Sequence, residues 1–291
     1  MLAADVAAAP LQLGVRGHQV RLEVFSLFMQ PGESLRLSHP YGNHPVRVRL
    51  DGEIFGRGES GSWVITAPLA PGLYSLEVRR EDSGDSTQLN LFVAVPATEM
   101  EGEYLNGYRI GRYPPARKNR RNYEPPLGFF EVTEENVDTR LTPHFTLRQF
   151  LCKQESDYPK YVVIRESLLA LLEGVLADVQ EAGFEVDTFG VISAYRTPYY
   201  NKRIGNVPYS RHVYGDAMDF YIDENRDGLM DDINFDGMRN RKDIDRFFAI
   251  VDAFKARPEN VLLVGGIGRY SKTSRHGGFV HADTRGYRAG W

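Results

Sequence analysis

The sequence predicts two folded domains of different class. The first is an all-β sandwich of the immunoglobulin-like type over residues 11–97, and the second is an α+β domain over residues 142–291. Short apolar–polar alternations separated by turn residues fill the first third of the chain. Helical periodicity begins only after Thr146, and a stretch rich in proline, tyrosine and arginine lies between the two regions.

The strands of the first domain follow from period-two patterns. Val46 to Leu50 alternates cleanly, Leu73 to Val78 does so less strictly, and the apolar run from Leu89 to Val95 is typical of a buried strand. Turn residues separate them at Pro31-Gly32, Asp51-Gly52, Pro71-Gly72 and Ser83-Gly84-Asp85. Short strands at this spacing are typical of a small immunoglobulin-like sandwich.

Residues 98–141 form a predicted linker arm. Tyr104 to Tyr113 is rich in aromatic residues and glycine, and two proline pairs follow it. The basic side chains of the arm are Arg117, Lys118, Arg120 and Arg121. They either line a groove for an acidic polymer or pack against the neighbouring domain, and we favour packing.

The second domain mixes helices and strands. Thr146 to Gln149 has the spacing of a capping box, and Tyr161 to Ala182 carries leucine and valine at helical intervals, with Gly183 placed to end the helix. Phe247 to Phe254 predicts another helix. Strands are predicted at Phe189 to Ala194, Met218 to Ile222 and Val261 to Gly268. This order implies helices packed against a mainly antiparallel sheet.

Composition limits the classes of function. A net charge of −4 gives no reason to expect nucleic acid as a partner, and no apolar run of about 18 residues predicts a membrane span. The single Cys152, in an apolar context, predicts a buried structural thiol. The first ten residues read either as the remainder of a removed signal peptide or as a cytosolic start.

Two motifs carry candidate metal ligands. S-R-H-V-Y-G-D-A-M-D places His212 and Asp219 seven residues apart, and G-F-V-H-A-D near the end of the chain contains His281 and Asp283. Alternation places Asp219 opposite the apolar face of its strand, where an acid needs a cationic partner. Two imidazoles and one carboxylate, from His212, His281 and Asp219, suit a zinc ion. From the residues alone, a simple His212–Asp219 hydrogen bond is equally open.

With S-A-Y-R-T-P-Y-Y-N at residues 193–201 as a third motif, the sequence resembles the zinc D-Ala-D-Ala carboxypeptidase and murein endopeptidase superfamily, peptidase family M15. It is most similar to the periplasmic murein endopeptidases that end in G-F-V-H-x-D. The resemblance covers about half the chain. It implies an α+β fold, a zinc cofactor, an exported or periplasmic location and peptidoglycan peptides as substrate.

The resemblance also implies roles for single residues. Zinc with three protein ligands lowers the pKa of a bound water to about 7, and that water attacks the peptide carbonyl. Arg196 matches the family arginine that contacts the substrate, although a structural pairing with Asp216 or Asp219 is the alternative. Ser193, Tyr195 and Ser210 are candidate substrate-binding residues.

The proton relay departs from the family pattern. Many relatives carry an acid three residues before the last zinc histidine, or a histidine two before it, where this chain has Gly278 and Phe279. Asp283 is therefore the predicted base, with an orienting role toward His281 as the alternative. His276 is the other candidate.

A second metal is predicted directly after the zinc motif. Residues 223–243 contain two D-x-N-x-D-G units, the alternation of short oxygen side chains found in calcium loops. The candidate ligands are Asp223, Asn225, Asp227, Asp232, Asn234, Asp236 and Asp243. The bidentate glutamate of an EF-hand is missing, so a solvated loop of Asp and Asn turns is the alternative.

The sequence therefore predicts a zinc metallopeptidase, either a D,D-endopeptidase at cross-links or a carboxypeptidase. One rival is a non-catalytic zinc protein that binds the cell wall. Another is a dipeptidase acting on free D-Ala-D-Ala. The β-domain is predicted to be a spacer or a module that docks the wall or another protein.

Overall fold

A computed structural model describes residues 9–42, 46–50, 53–58, 61–117, 120–274 and 276–291. The chain divides into two compact units. The N-terminal unit runs to residue 95 and includes residues 140–143, and the C-terminal unit comprises residues 96–139 and 144–291. No helix among the described residues is long and apolar enough to cross a membrane.

The N-terminal unit is built from strands, as predicted. They are β1 Gln12–Val15, β2 His18–Arg21, β3 Val24–Met29, β4 Ser34–Ser38, β5 Val46–Leu50, β6 Glu53–Gly58, β7 Ser62–Thr66, β8 Gly72–Arg80 and β9 Ser86–Val93. Two sheets result, in the orders β2-β1-β4-β7 and β3-β9-β8-β5-β6. All six residues of β3 are buried, whereas β4 alternates exposed and buried positions. The turn at Asp51-Gly52 lies outside the described residues.

Residues 96–139 pack within the C-terminal unit. They contain β10 Val95–Pro96, β11 Tyr104–Leu105, β12 Tyr108–Arg109 and β13 Gly128–Val132, with 3-10 helices at Ala97–Glu99 and Arg121–Tyr123. The Tyr113 hydroxyl donates to the Val213 carbonyl at 2.8 Å, and the ring of Tyr123 packs edge-on against Tyr214. Tyrosines of the predicted arm therefore pack on the domain; Lys118 of its basic run lies outside the described residues.

The helices begin later than the periodicity predicts. Strand β14, Lys160–Val162, pairs with β13, and α1 runs from Glu166 to Glu181. Tyr161 belongs to β14, where it pairs with Glu131 of β13. Its hydroxyl also donates to the Glu131 carboxylate. The apolar face of α1 is buried, as expected. The capping box at Thr146 is present, but it opens a 3-10 helix, Leu147–Phe150.

The remaining helices are α2 Pro198–Arg203 and α3 Arg241–Ala256, with 3-10 helices at Arg211–Tyr214 and Pro258–Leu263. Strands β15 Gly190–Ser193, β16 Ala217–Tyr221, β17 Gly266–Tyr270, β18 Phe279–Asp283 and β19 Ala289–Gly290 form one sheet in the order β15-β16-β18-β17-β19. Its pairings are antiparallel except β17–β19. Helix α1 and this sheet give the α+β arrangement that the sequence predicted.

Candidate metal centre

One row of cross-strand pairs sets the position of the candidate ligands. Ser193 pairs with Asp219, Asp219 with His281, and His281 with Gly268, across four neighbouring strands. Directly paired residues present their side chains on the same face of a sheet. The register therefore brings Asp219 and His281 together from positions 62 residues apart in sequence.

His212 comes to the same face from the 3-10 helix that precedes β16. The helix ends at Gly215, whose φ of 73° is left-handed. A Cβ at this position would also overlap the Val163 carbonyl oxygen. Glycine is therefore required both by the left-handed backbone and by the lack of space for a side chain. The turn is braced by a buried ion pair between Arg211 and Asp216, and the Arg211 guanidinium lies 4.6 Å from the ring centre of Tyr214.

Three ligating atoms converge at this point. Ligating atoms of His212, Asp219 and His281 lie within 4.8 Å of one another, and all three residues are buried. Asp219 Oδ1 is 2.8 Å from His281 Nδ1 and 3.2 Å from His212 Nε2. Within the described part of the chain, no other group of three or more His, Cys, Asp or Glu side chains lies close enough to hold one ion.

The opposite atom of each side chain already has a partner. His212 Nδ1 lies 2.6 Å from the Ala194 carbonyl oxygen, and His281 Nε2 lies 3.1 Å from Asp283 Oδ2. Asp219 Oδ2 accepts a hydrogen bond from Arg196 at 2.6 Å. A carbonyl or carboxylate on the outer nitrogen fixes the tautomer of a metal-binding histidine. The inner atoms are therefore the ones left for an ion.

Burial and hydrogen bonds shift the pKa of each of the three residues. Burial lowers the pKa of His212, which leaves its inner nitrogen with a free lone pair. Burial alone would lower the pKa of His281, but hydrogen bonds to Asp219 and Asp283 outweigh it and raise the pKa to about 9. Interactions with His212, and then with His281, hold the pKa of Asp219 far below its ordinary value against the effect of burial. Two imidazole nitrogens and a carboxylate oxygen fit the donor set of a zinc site with an open position.

Arg196 and Ser193 lie beside this group. Arg196 is buried, and its Nε donates to Ser193 Oγ at 2.7 Å while its Nη2 donates to Asp219. The structural pairing that the sequence left open, with Asp219, is thus present. Asp216, the other partner considered, pairs with Arg211. Nη1 of Arg196 has no hydrogen-bond partner in the described part of the chain.

Asp283 is enclosed. Its side chain is 0% exposed, Oδ1 accepts from the Gly266 N–H at 2.9 Å, and Arg285 donates to both carboxylate oxygens. Hydrogen bonds from His281 and Arg285 outweigh burial and hold the pKa of Asp283 well below its usual range. A carboxylate that is so firmly ionised is a poor proton relay but a good acceptor for His281 Nε2.

The other predicted residues lie around the group without joining it. His276 Nδ1 is 2.8 Å from the carbonyl of Gly277, and its ring packs edge-on against Phe279. Tyr195 is fully buried, with its hydroxyl 3.2 Å from that of Tyr113. Ser210 is buried and precedes the 3-10 helix that carries His212.

The candidate calcium ligands lie in a separate loop. Asp223, Asn225 and Asp227 accept from the backbone N–H groups of residues 227–229, and the second unit repeats this with Asp232, Asn234 and Asp236 on residues 236–238. Asp243 caps α3, because its carboxylate accepts from the N–H groups of Ile233, Asn234 and Asn240. The aspartates among these residues do not form a converged group of the kind seen at His212.

Three residues at the site were not predicted as parts of it. The ring of Trp291 lies 5.2 Å from that of His281, Tyr270 accepts a hydrogen bond from Trp291, and Arg285 holds Asp283. The G-I-G pattern at the start of β17 was the available signal, since glycine inside a strand often marks the close approach of another group.

The region that contains this turn has a family match. Residues 143–235 match the model of the Peptidase M15 family. This segment, about a third of the chain, is similar to that family. The match includes His212 and Asp219, whereas His281 lies beyond it and is brought to the site by the sheet register.

Other comparisons add less. No curated protein matches the chain. Fibronectin(III)-like modules of Clostridium thermocellum CbhA match at 16% identity over 28% of this chain and 94% of that chain, with a TM-score of 0.22. The titin M1 domain matches at 15% over 24% and 89%, with a TM-score of 0.19. A calcium-binding mutant of Bacteroides uniformis β-glucuronidase 2 matches at 10% over 44% and 18%, with a TM-score of 0.20. These scores are too low to support an argument.

Proposed function

We propose that the C-terminal unit is a zinc-dependent hydrolase of peptide bonds in peptidoglycan stem or cross-link peptides. The observation that carries the proposal is the convergence of His212 Nε2, Asp219 Oδ1 and His281 Nδ1, each with its opposite atom bound to another group. The M15 match of residues 143–235 supports the reaction class.

Each residue of the centre has a separate proposed role. His212, Asp219 and His281 would hold the ion, which supplies a Lewis acid and an activated water when bound. Arg196 holds Asp219 so that Oδ1, and not Oδ2, faces the histidines. Asp283 orients His281 through Nε2, and its use as a general base, like that of His276, stays a prediction.

Arg196 is also the proposed contact for the substrate. Its Nη1 is the guanidinium nitrogen with no partner among the described residues, and Ser193 and Asp219 fix the rest of the group. A guanidinium held in this way suits a substrate carboxylate better than a flexible ammonium does. Stem peptides, which carry carboxylates, fit this arrangement, and Tyr195 and Ser210 remain proposed parts of the substrate-binding wall.

The test is incubation of the purified chain with defined muropeptides, with and without a zinc chelator, followed by mass spectrometry. We expect cleavage that the chelator abolishes and added zinc restores, and the product masses identify an endopeptidase or a carboxypeptidase. His212→Ala should remove both zinc and activity. His18→Asn, in the N-terminal unit, is the control that removes an imidazole elsewhere. Cleavage that survives the loss of zinc would refute the proposal.

The main alternative is a zinc-containing protein that binds the cell wall without cleaving it. In that case the protein would retain one zinc per chain and bind muropeptides, but leave them intact. Cleavage of free D-Ala-D-Ala alone would instead indicate a dipeptidase. We infer an exported or periplasmic location from the wall substrate, and an immunoglobulin-like N-terminal unit that spaces the peptidase or docks it on the wall or on another protein.

A calcium site in the Asp/Asn loop is proposed separately. The observation that favours it is that both D-x-N-x-D-G units have the same backbone shape. Arg226 and Phe235 have φ values of 58° and 61°, and Gly228 and Gly237 both have a φ of 82°. Two copies of one motif that fold into the same turn place their Asp and Asn oxygens alike, as repeated calcium loops do.

A further inference from the structure

The gap left by Gly268 in the row of site residues is filled by an indole. A Cβ at Gly268 would lie 2.8 Å from Trp291 Cε2, and one at Gly266 would lie 3.0 Å from Trp291 Cη2. Strand β19 pairs in parallel with β17 and so delivers Trp291 across these two glycines. The indole thus rests on the β17 backbone, beside the ring of His281 at 5.2 Å.

The indole holds a tyrosine hydroxyl at the rim of the centre. Tyr270 is two residues along β17 from Gly268, so its side chain lies on the same face of the sheet as His281. Trp291 Nε1 donates to Tyr270 Oη, and the Tyr270 ring stacks on Phe279 with centroids 4.7 Å apart and planes at 10°. Two independent contacts therefore fix the ring and its hydroxyl.

The direction of that hydrogen bond leaves the phenolic proton free. An indole N–H can only donate, so Tyr270 Oη is the acceptor. Among the described residues, the Tyr270 hydroxyl donates to no acceptor. Tyr270 is 36% exposed and Trp291 is 48% exposed, so both residues lie partly at the surface, from which a substrate would approach.

Partial burial keeps the Tyr270 hydroxyl protonated at neutral pH. Burial raises the pKa of Tyr270, and the phenol also interacts with the charges of Asp219, Arg196 and Arg285. The neutral Tyr270 hydroxyl therefore has a proton that it can share in a hydrogen bond with a bound substrate.

We propose that Tyr270 is a catalytic residue that donates a hydrogen bond to the oxyanion developing on the scissile carbonyl, and that Trp291 is its positioning residue. The proposal rests on the proposed hydrolase function. No proton is transferred in this step, because the hydroxyl stabilises negative charge and keeps its hydrogen. A donor fixed in advance stabilises the transition state without being reorganised during the reaction.

The experiment compares Tyr270→Phe and Trp291→Phe with Tyr104→Phe, a control that removes the hydroxyl of an exposed tyrosine on β11. For Tyr270→Phe we expect kcat to fall about 10²- to 10³-fold, as when other enzymes lose one oxyanion donor. KM and bound zinc should stay unchanged. Trp291→Phe should lower kcat by a smaller factor, and Tyr104→Phe should change nothing.

Binding of a phosphinate dipeptide, a mimic of the tetrahedral state, gives a readout without turnover. Tyr270→Phe should weaken phosphinate binding far more than binding of the uncleaved peptide amide. An unchanged kcat, a fall matched by lost zinc, or equal weakening of both ligands would overturn the role of Tyr270. If the wild-type protein turns over no peptide, the hydrolase proposal fails and the Tyr270 proposal, which rests on it, fails with it. If wild type cleaves peptide and Tyr270→Phe leaves kcat unchanged, only the Tyr270 proposal fails.

Discussion

Two neighbouring regions of the C-terminal unit carry oxygen and nitrogen ligands, and they use them in opposite ways. At the metal centre, the outer atoms of His212, Asp219 and His281 are bound to other groups and the inner atoms face one another. In the Asp/Asn loop of residues 223–243, side-chain oxygens accept from the N–H groups of their own turns. The centre is buried, whereas most of the loop is exposed.

The difference shows what distinguishes a built site from a ligand-rich sequence. A carboxylate that accepts from its own backbone is satisfied without an ion, so its presence tells little about binding. Ligands whose unused atoms converge in a buried space cannot all be satisfied by one another. A metal ion, or a proton shared by His281 and Asp219, is needed to satisfy the lone pairs that face one another.

The largest effect is expected from removing a ligand at the centre. His281→Ala takes away one of the three converging atoms and leaves Asp219 Oδ1 without its nearest partner. We expect zinc to be lost on dialysis and cleavage to fall to background, measured by metal analysis and muropeptide turnover. Asp232→Asn in the loop is the matched control and should leave both unchanged. Equal zinc loss in the two variants would remove the distinction between the regions.

Glycine substitutions compare the two regions through stability. Gly215 and Gly228 both have left-handed φ values, 73° and 82°, but a Cβ at Gly215 would overlap Val163 and one at Gly228 meets no atom within 4 Å. We expect Gly215→Ala to cost about 3 kcal/mol through strain and overlap. Gly228→Ala should cost about 1 kcal/mol through backbone strain alone. Denaturant unfolding of the two variants measures this, and equal costs would show that the turn at His212 relaxes freely.

The outer partners should have an intermediate effect. Asp283→Asn weakens the acceptor on His281 Nε2, and we expect zinc affinity to fall about 10- to 100-fold. Competition with a fluorescent chelator measures the affinity. Asp245→Asn, an exposed carboxylate on α3, is the control. If zinc affinity holds while kcat collapses, Asp283 acts as the base and its orienting role is wrong.

The smallest effect is expected in the Asp/Asn loop. If it binds calcium, adding calcium to zinc-loaded protein at about ten times the dissociation constant should stabilise folding by about 1.4 kcal/mol. The double variant Asp223→Ala, Asp232→Ala should lose that gain and keep its zinc. Thermal unfolding with and without calcium reports it. No shift in the wild-type protein would leave the loop as a set of Asp and Asn turns.

Local patterns predicted the elements well, because alternation and turn residues act over a few positions. The strand at Val46–Leu50 and the buried face of α1 are confirmed. The boundaries that were wrong depend on contacts distant in sequence. Tyr161 pairs with β13 instead of continuing into α1. The strand predicted for Val261 to Gly268 begins only at Gly266, because residues 261–263 end a 3-10 helix.

The same limit applies to the site. The spacing of His212 and Asp219 is local and could be read from one motif, and the structure brings His281 to the same point, as the sequence predicted. The roles of Trp291 and Tyr270 could not be read, because they depend on β19 crossing β17 and on two absent side chains. Tertiary pairing decides which side chain fills the space that a glycine leaves.

The row from Ser193 through Asp219 and His281 to Gly268 also bears on how the chain folds. A slip of one residue in any of these strand pairs would turn one member of the row to the opposite face of the sheet. Only the native alignment then presents a complete set of ligands. An ion that binds this alignment and no other would lower its free energy relative to every misaligned sheet. The metal would thus select the correct strand register during assembly.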